Sequence, residues 1–192
     1  MDGFKAFWRK GWVKNLVFLG ILGILFFTPV GQWVRVQILS LTLFAPSNQV
    51  ENSATVDSLH KFPLQLMDQE GNSFLLSSLE GKPIFINFYA SWCPPCLAEF
   101  RSMNRMQEEL SDVEFLFVTR ETEEDYYKFL DNTQYDYPFY KQQSKLPKQL
   151  EHESIPASYL LDANGNLVFQ HVGAANWDDD ALINELKSLV GV

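Results

Sequence analysis

Cys93 and Cys96 are the only cysteines among 192 residues, and they sit inside the pentapeptide Trp92-Cys93-Pro94-Pro95-Cys96. Two thiols spaced this closely can close a small ring on oxidation and so exchange two electrons with another disulfide. A buried apolar run ends just before them and a helical pattern begins with them, which places Cys93 at a helix N-terminus. There the unpaired N–H groups and the positive end of the dipole lower a thiol pKa. Cys93 is therefore the expected nucleophile, and Cys96, one turn further in, the residue that attacks a mixed disulfide from inside. Pro94 and Pro95 have a fixed φ suited to a first helical turn, where a missing N–H costs least. They also stiffen the loop, which keeps the sulfurs near bonding distance in either redox state.

Other uses of such a pair fit less well. Tetrahedral zinc needs four ligands, and no second cysteine pair exists. His60, His152 and His171 are scattered singly and read as surface or satisfied polar residues. A structural disulfide across a two-residue spacer would staple almost nothing. Copper(I) suits soft thiolates, but no Met or His stands close in sequence. No cofactor beyond the redox-active Cys93–Cys96 dithiol is expected.

The surrounding elements alternate in kind. Ile84–Ala90 is apolar at nearly every position, as in a strand covered on both faces. Leu97, Phe100, Met103, Met106 and Leu110 recur at helical spacing. Val113–Thr119 reads as a second buried strand, and Glu123–Leu130 as a helix with acids in its first turn. Residues 62–67 alternate, residues 68–72 supply a turn, and Ser73–Leu76 reads as extended. Ser158–Asp162, Asn164-Gly165 and Leu167–His171 form a hairpin pattern, because Asn-Gly accepts φ > 0. Asp178–Val190 closes the chain as an amphipathic helix. The alternation predicts an α/β fold with a mixed sheet. The aromatic stretch Tyr135–Tyr140 reads as packing at the sheet edge, and Glu121–Asp125 as a solvated helix start.

Charge is unevenly spread. Residues 1–35 hold five bases against one acid, leaving ten bases and 23 acids in the remainder, a balance of −13. Such an acidic body argues against nucleic acid as a partner. The basic N-terminus instead precedes residues 16–34, which are free of charge and close to the ~20 residues a spanning helix needs. Trp12 and Trp33 bracket the run at interfacial depth. Four bases in front of it place residues 1–15 in the cytoplasm and the remainder outside. A retained signal-anchor through the lipid bilayer is the leading reading. A cleaved signal peptide is the second, although Thr28-Pro29-Val30-Gly31 offers no small-residue cleavage site. A buried helix is the third. Residues 35–58 read as juxtamembrane segment and linker, and residues 59–192 as the exported domain.

The stretches Phe62–Phe100, with WCPPC after a buried strand, and Ser154–Trp177 resemble the membrane-anchored TlpA/ResA-like thioredoxins of bacteria. The resemblance covers nearly everything from Lys61 to Val192. It implies a thioredoxin-like fold and thiol–disulfide oxidoreductase activity facing the periplasm. Ile155-Pro156 falls where the family has a cis-proline facing the two cysteines, and the Ile155 backbone could then pair with a substrate strand. Trp92 would flank the nucleophile as an apolar platform, with Pro94 and Pro95 beside it. Gly173 matches a glycine that leaves room at the site. Glu99 falls where the family keeps an acid, one turn beyond Cys96, and could exchange protons during thiol attack. A solvated helix charge is its simpler reading. Asn87 stands where thioredoxin has a buried aspartate and cannot carry a proton. Arg101 departs from the family's nearby proline and leaves the helix path open.

The leading function is thus a membrane-tethered enzyme reducing disulfides of envelope proteins, apocytochrome c among them. Its partners would be those protein disulfides and a transmembrane electron donor at the bacterial inner membrane. A disulfide oxidant or isomerase, and a copper-delivery protein using the same thiols, are the alternatives.

Overall fold

The computed structural model describes residues 11–28, 31, 34, 38, 43–46 and 63–192. Helix α1 (Gly11–Phe27) covers the first part of the expected 16–34 span, and the rest of that span lies mostly outside the described residues. Among the described residues no helix is long and apolar enough to cross a membrane. Most of the expected linker and residues 59–62 also lie outside the described residues.

The part of the chain from residue 63 onward is built on β3 (Ile84–Tyr89), whose six residues are all buried. Its side chains alternate between two faces, as pleating requires. Phe85 and Tyr89 join one apolar cluster, and Ile84, Ile86 and Phe88 join the other. Helix α2 (Pro94–Glu109) crosses over to β4 (Glu114–Thr119), which pairs parallel to β3. Helix α3 (Glu123–Asn132) then crosses to β5 (Phe139–Gln142), parallel to β4. On the opposite side of β3, β6 (Ala157–Leu161) and β7 (Leu167–Val172) add an antiparallel hairpin. Helix α4 (Asp180–Val190) ends the chain. A first hairpin of β1 (Gln65–Met67) and β2 (Ser73–Leu75) pairs with β5, which gives the seven-stranded order β2-β1-β5-β4-β3-β6-β7. The expected mixed α/β sheet is present.

The two faces are covered differently. Every helical residue of the buried apolar clusters, from Cys96 and Phe100 in α2 to Leu186 in α4, lies in the first cluster. The second face is roofed by Leu64, by Leu76 in a short 3-10 turn (Leu76–Leu79) and by Leu150 in another (Lys148–Leu150). Arg105 in α2 reaches Asp178 and Asp180 at 2.7 and 2.8 Å, and Lys187 in α4 reaches Glu109 at 2.6 Å. These pairs lie at the surface, with Arg105 and Lys187 half-buried, and add little beside the apolar contact.

One expectation is corrected here. The 135–140 stretch is not edge packing: β5 starts within it and lies inside the sheet, between β1 and β4, and the edges are β2 and β7. Pro138 still serves the ladder through its carbonyl, which accepts from the Phe117 N–H at 3.1 Å. Tyr137 stacks on Phe117 with centroids 4.5 Å apart, and its hydroxyl donates to the Phe100 carbonyl in α2. Proline made the stretch read as irregular, while its aromatic rings were needed in the core.

Two hairpin turns share one design, Asp-x-x-Gly-Asn at residues 68–72 and 162–166. Asp162 Oδ1 accepts from the N–H groups of Asn164 and Asn166 at 2.9 and 2.8 Å, and Oδ2 from Asn166 Nδ2 at 2.8 Å. Asp68 does the same with Glu70 and Asn72. The glycines take φ of 87° at Gly71 and 78° at Gly165, a left-handed region closed to most side chains. Burial raises the Asp162 pKa, but the bonds from Asn166 and Asn164 outweigh it and hold it below 3.8. A depressed acid stabilises the fold above its unfolded pKa and loses that contribution as pH falls through its folded pKa. Asp162→Ala should therefore cost about 1 kcal/mol at pH 7, allowing for solvent screening. Urea denaturation should show the difference from wild type shrinking below roughly pH 4.

Candidate active site

The carboxyl end of β3 delivers the dithiol. A tight turn closes between Ala90 and Cys93, with the Cys93 N–H donating to the Ala90 carbonyl at 3.1 Å. Cys93 then caps α2: its backbone is extended, and its sulfur accepts from the Cys96 N–H at 3.3 Å. Pro94 and Pro95 occupy the first turn, as their φ favours. Cys93 and Cys96 are joined in a disulfide, with Cα atoms 5.4 Å apart. Cys96 is fully buried and Cys93 is 4% exposed, so the two sulfurs differ in access. An incoming thiolate or disulfide meets Cys93 first.

Cys93 opens into a groove of about 730 Å³. Trp92, Pro94, Pro95 and Ile155 line it on the apolar side, and Glu121 and His152 are among its polar walls. Trp92 is 67% exposed beside the dithiol. The Ile155–Pro156 bond is cis, and Pro156 is buried while Ile155 faces the groove. The Pro156 carbonyl accepts from the Gly173 N–H at 2.9 Å, which ties this loop to the end of β7. Among the described residues a Cβ at Gly173 would meet nothing nearer than His171 Nε2 at 4.0 Å, and its φ of 113° is a conformation that favours glycine. Helix α2 runs unbroken through Arg101, which settles the path that the missing proline left open.

Glu99 lies one turn beyond Cys96 on α2 and is completely buried, so it is no solvated charge. Its Oε1 accepts from Asn87 Nδ2 at 2.8 Å. Its Oε2 accepts from the Ala175 N–H and from Trp177 Nε1, both at 3.2 Å. Asn87 shares the helix-facing side of β3 with Phe85 and Tyr89, and sits in register with Ser158 of β6, to whose Oγ it also donates at 2.9 Å. Burial pushes the Glu99 pKa up to about 8, against the lowering effect of the bonds from Asn87, Trp177 and Ala175. Desolvation wins because no cation among these partners offsets it. Among the described residues Asn87 Oδ1 has no partner of its own. A flipped amide would turn that acceptor towards a protonated Glu99, so the network can serve either state of the acid.

Sequence reasoning missed Trp177 and Glu121. Trp177 stands alone in a polar stretch, and a lone tryptophan there is the one signal that could have marked it as buried. Glu121 was read as part of a solvated acidic run. Instead it stands before the Thr122 N-cap of α3 and turns back to the groove. His152 packs tilted against Phe88 with centroids 4.6 Å apart, and its Nδ1 lies 2.9 Å from the Leu150 carbonyl. Burial lowers its pKa. Among the described residues no cluster of three or more His, Cys, Asp or Glu is placed to hold a metal ion.

The raised Glu99 value has a measurable consequence. Folded Glu99 keeps its proton between about 4.5 and about 8, where the unfolded chain has lost it. Stability therefore falls as pH rises through that window and levels off above it. Glu99→Gln, which cannot ionise, should flatten this decline and gain on wild type by a few kcal/mol at pH 8.5, on the order expected for such a shift. Urea denaturation of both oxidised proteins at pH 5 and 8.5 checks it.

Comparison with known proteins places this geometry. The Redoxin family matches residues 48–186. The thiol-disulfide oxidoreductase ResA of Halalkalibacterium halodurans is 27% identical, over 82% of this chain and 94% of its own. The thiol:disulfide interchange protein DsbE of Escherichia coli K12 is 26% identical, over 70% of this chain and 75% of its own. Among solved structures, a DsbE-like protein of Chlorobium tepidum matches with a TM-score of 0.59 at 28% identity, over 71% of this chain and all of that one. The exposed lipoprotein thioredoxin Etrx1 of Streptococcus pneumoniae matches with a TM-score of 0.53 at 28% identity, over 65% of this chain and 97% of that one. The chain belongs to the Redoxin family as a thioredoxin-like thiol–disulfide oxidoreductase of the ResA/TlpA type.

Proposed function

We propose that the protein is tethered to the bacterial inner membrane and reduces disulfides of envelope proteins in the periplasm. The observation that carries the chemistry is the pairing of a groove-facing Cys93 with a buried Cys96 and a buried Glu99 on one helix. In the reduced protein, Cys93 thiolate attacks one sulfur of a substrate disulfide, and a substrate thiolate leaves. The ionised fraction of Glu99, the minor form below its pKa of about 8, accepts the Cys96 proton. The Cys96 thiolate then attacks the Cys93 sulfur, closing the intramolecular disulfide and releasing the second substrate thiolate, which takes up a proton from solvent. Two electrons pass to the substrate, and the disulfide described above is the product state.

Trp92, Pro94, Pro95 and Ile155 supply an apolar wall against which an extended substrate segment can lie, with Pro156 holding the Ile155 backbone beside Cys93. Protein segments carrying a disulfide, apocytochrome c among them, are the substrates this wall suits.

The direction has a physical argument. A strong oxidant stabilises its reduced, thiolate form. Here Glu99, once ionised, opposes a thiolate nearby, which favours oxidation of the dithiol and hence reduction of substrates. The periplasm is oxidising, so a transmembrane dithiol donor must return the protein to its reduced form. Anchoring would keep the domain near that donor. Support for the anchor comes from α1, whose Leu16, Val17, Phe18, Leu19 and Ile21 are all exposed in the isolated chain, with the apolar run continuing in sequence to Val34.

The reduction potential of the full chain in detergent, equilibrated against thiol buffers, tests the direction. A value near or below the roughly −270 mV of thioredoxin is expected, and one near the roughly −120 mV of a strong periplasmic oxidant would reverse the reading. Fractionation tests the tether. The protein should stay with membranes through a high-salt wash and leave them only in detergent.

A further inference from the structure

Glu121 is the ionisable side chain that reaches back from the end of β4 to the turn carrying the nucleophile. Its Oε2 accepts from the Ser91 N–H at 2.8 Å, and its Oε1 from the Ser91 hydroxyl at 2.6 Å. Both oxygens of one carboxylate thus grip one residue, two positions before Cys93. The grip is itself fixed from behind. Thr119 Oγ1 donates to Glu121 Oε2 at 3.0 Å and accepts from the Glu121 N–H at 3.3 Å. Thr119 is buried at the end of β4, in register with Tyr89 at the end of β3. The anchor is therefore the rigid centre of the sheet, and the load is the Ala90–Cys93 turn.

That turn sets where Cys93 points. Its ends are fixed by β3 on one side and by α2 on the other, and Ser91 is its unsupported middle. A bidentate charge-assisted contact there is the strong kind of hydrogen bond and fixes direction as well as distance. Glu121 also lines the groove into which Cys93 opens, so its charge borders the same space.

We propose that Glu121 is a positioning residue for the exchange reaction: it clamps the nucleophile's turn through Ser91, and its charge opposes the Cys93 thiolate. The inference rests on Cys93 being the attacking thiol, as argued above. The other charged or titratable groups on the groove are Arg120, His152, Glu153 and Tyr89. Arg120 Nε is turned to Gln142 Oε1 at 3.1 Å, and His152 Nδ1 to the Leu150 carbonyl. Glu153 is exposed, and Tyr89 is buried with its phenol pKa raised by burial and, among its neighbours, by Glu121. Among the described residues, Glu121 alone of these groups is hydrogen-bonded through its side chain to the Ala90–Cys93 turn.

The test is the pH dependence of Cys93 alkylation by iodoacetamide, together with the single-turnover rate on a disulfide peptide, in the reduced full chain in detergent. Glu121→Gln keeps an acceptor for the Ser91 N–H and removes the charge. It should move the alkylation midpoint to lower pH. Glu121→Ala loses the clamp as well, and should add to the same shift a fall of about tenfold in the exchange rate at saturating pH, as expected for losing a bond of this kind. An alkylation midpoint unchanged in both variants overturns the proposal, whatever happens to the rate. If Glu121→Ala does not fold, Glu121→Gln decides by itself. A wild-type chain that alkylates at Cys93 but exchanges no disulfide would count against the proposed function, while the midpoint would still report on Glu121.

Discussion

A carboxyl group with no access to water lies one helical turn below a disulfide, and much of the molecule is arranged to keep it there. Burying Glu99 is costly in its charged form, which is why its pKa rises to about 8. The cost is contained by three donors brought from two separate places in the chain. Asn87 comes from β3, and the Ala175 N–H and Trp177 indole come from the loop before α4. Trp177 also packs edge-on against Phe85, so the residue that bonds the acid is held by the apolar core. A group of this kind holds a proton at neutral pH and can accept or release one with a small change in its surroundings.

The sheet explains why those donors meet. Pleating sends Asn87 to the same face of β3 as Phe85 and Tyr89, under the active-site helix, and register sets Ser158 of β6 directly beside it. β3 has a parallel neighbour on one side and an antiparallel one on the other. Its carboxyl end is therefore flanked by the end of β4 and by the loop entering β6. Those two flanks carry Glu121 and the cis Ile155–Pro156 bond, and Cys93 emerges between them. The groove is a consequence of that topology, as crevices at strand carboxyl ends commonly are. Helices load one face of the sheet heavily, while short turns and loop leucines roof the other. The heavily packed face is the one that holds the acid.

Much of this was legible in the sequence. The run of Ile84–Ala90, apolar at every position but Asn87, announced a central strand, because a strand buried on both faces has few polar positions to spare. The spacing of Leu97, Phe100, Met103 and Met106 announced the helix, and the cysteine pair between the two announced the chemistry. Asn164-Gly165 marked the hairpin, since few dipeptides take that turn. The position of β5 was not legible. Its signal was mixed with Pro138 and acidic neighbours, and its place inside the sheet depends on a β1–β2 hairpin far away in sequence. Glu121 was hidden for a related reason. Within a run of five polar residues, nothing local distinguishes the one that turns inward.

The sequence by itself determined the reacting atoms, the strand and helix that carry them, and the α/β class, because each depends on local pattern and on the chemistry of single residue types. Only the tertiary structure decided the surroundings of those atoms. That Glu99 is buried rather than solvated, that Asn87 and Trp177 bond it, and that Glu121 grips Ser91 are all contacts between segments distant in the chain. The distances along the chain are 12 residues for Asn87 and 78 for Trp177 to Glu99, and 30 from Ser91 to Glu121. Desolvation and charge act through space, so the properties that tune the thiols had to wait for the fold that brings those segments together.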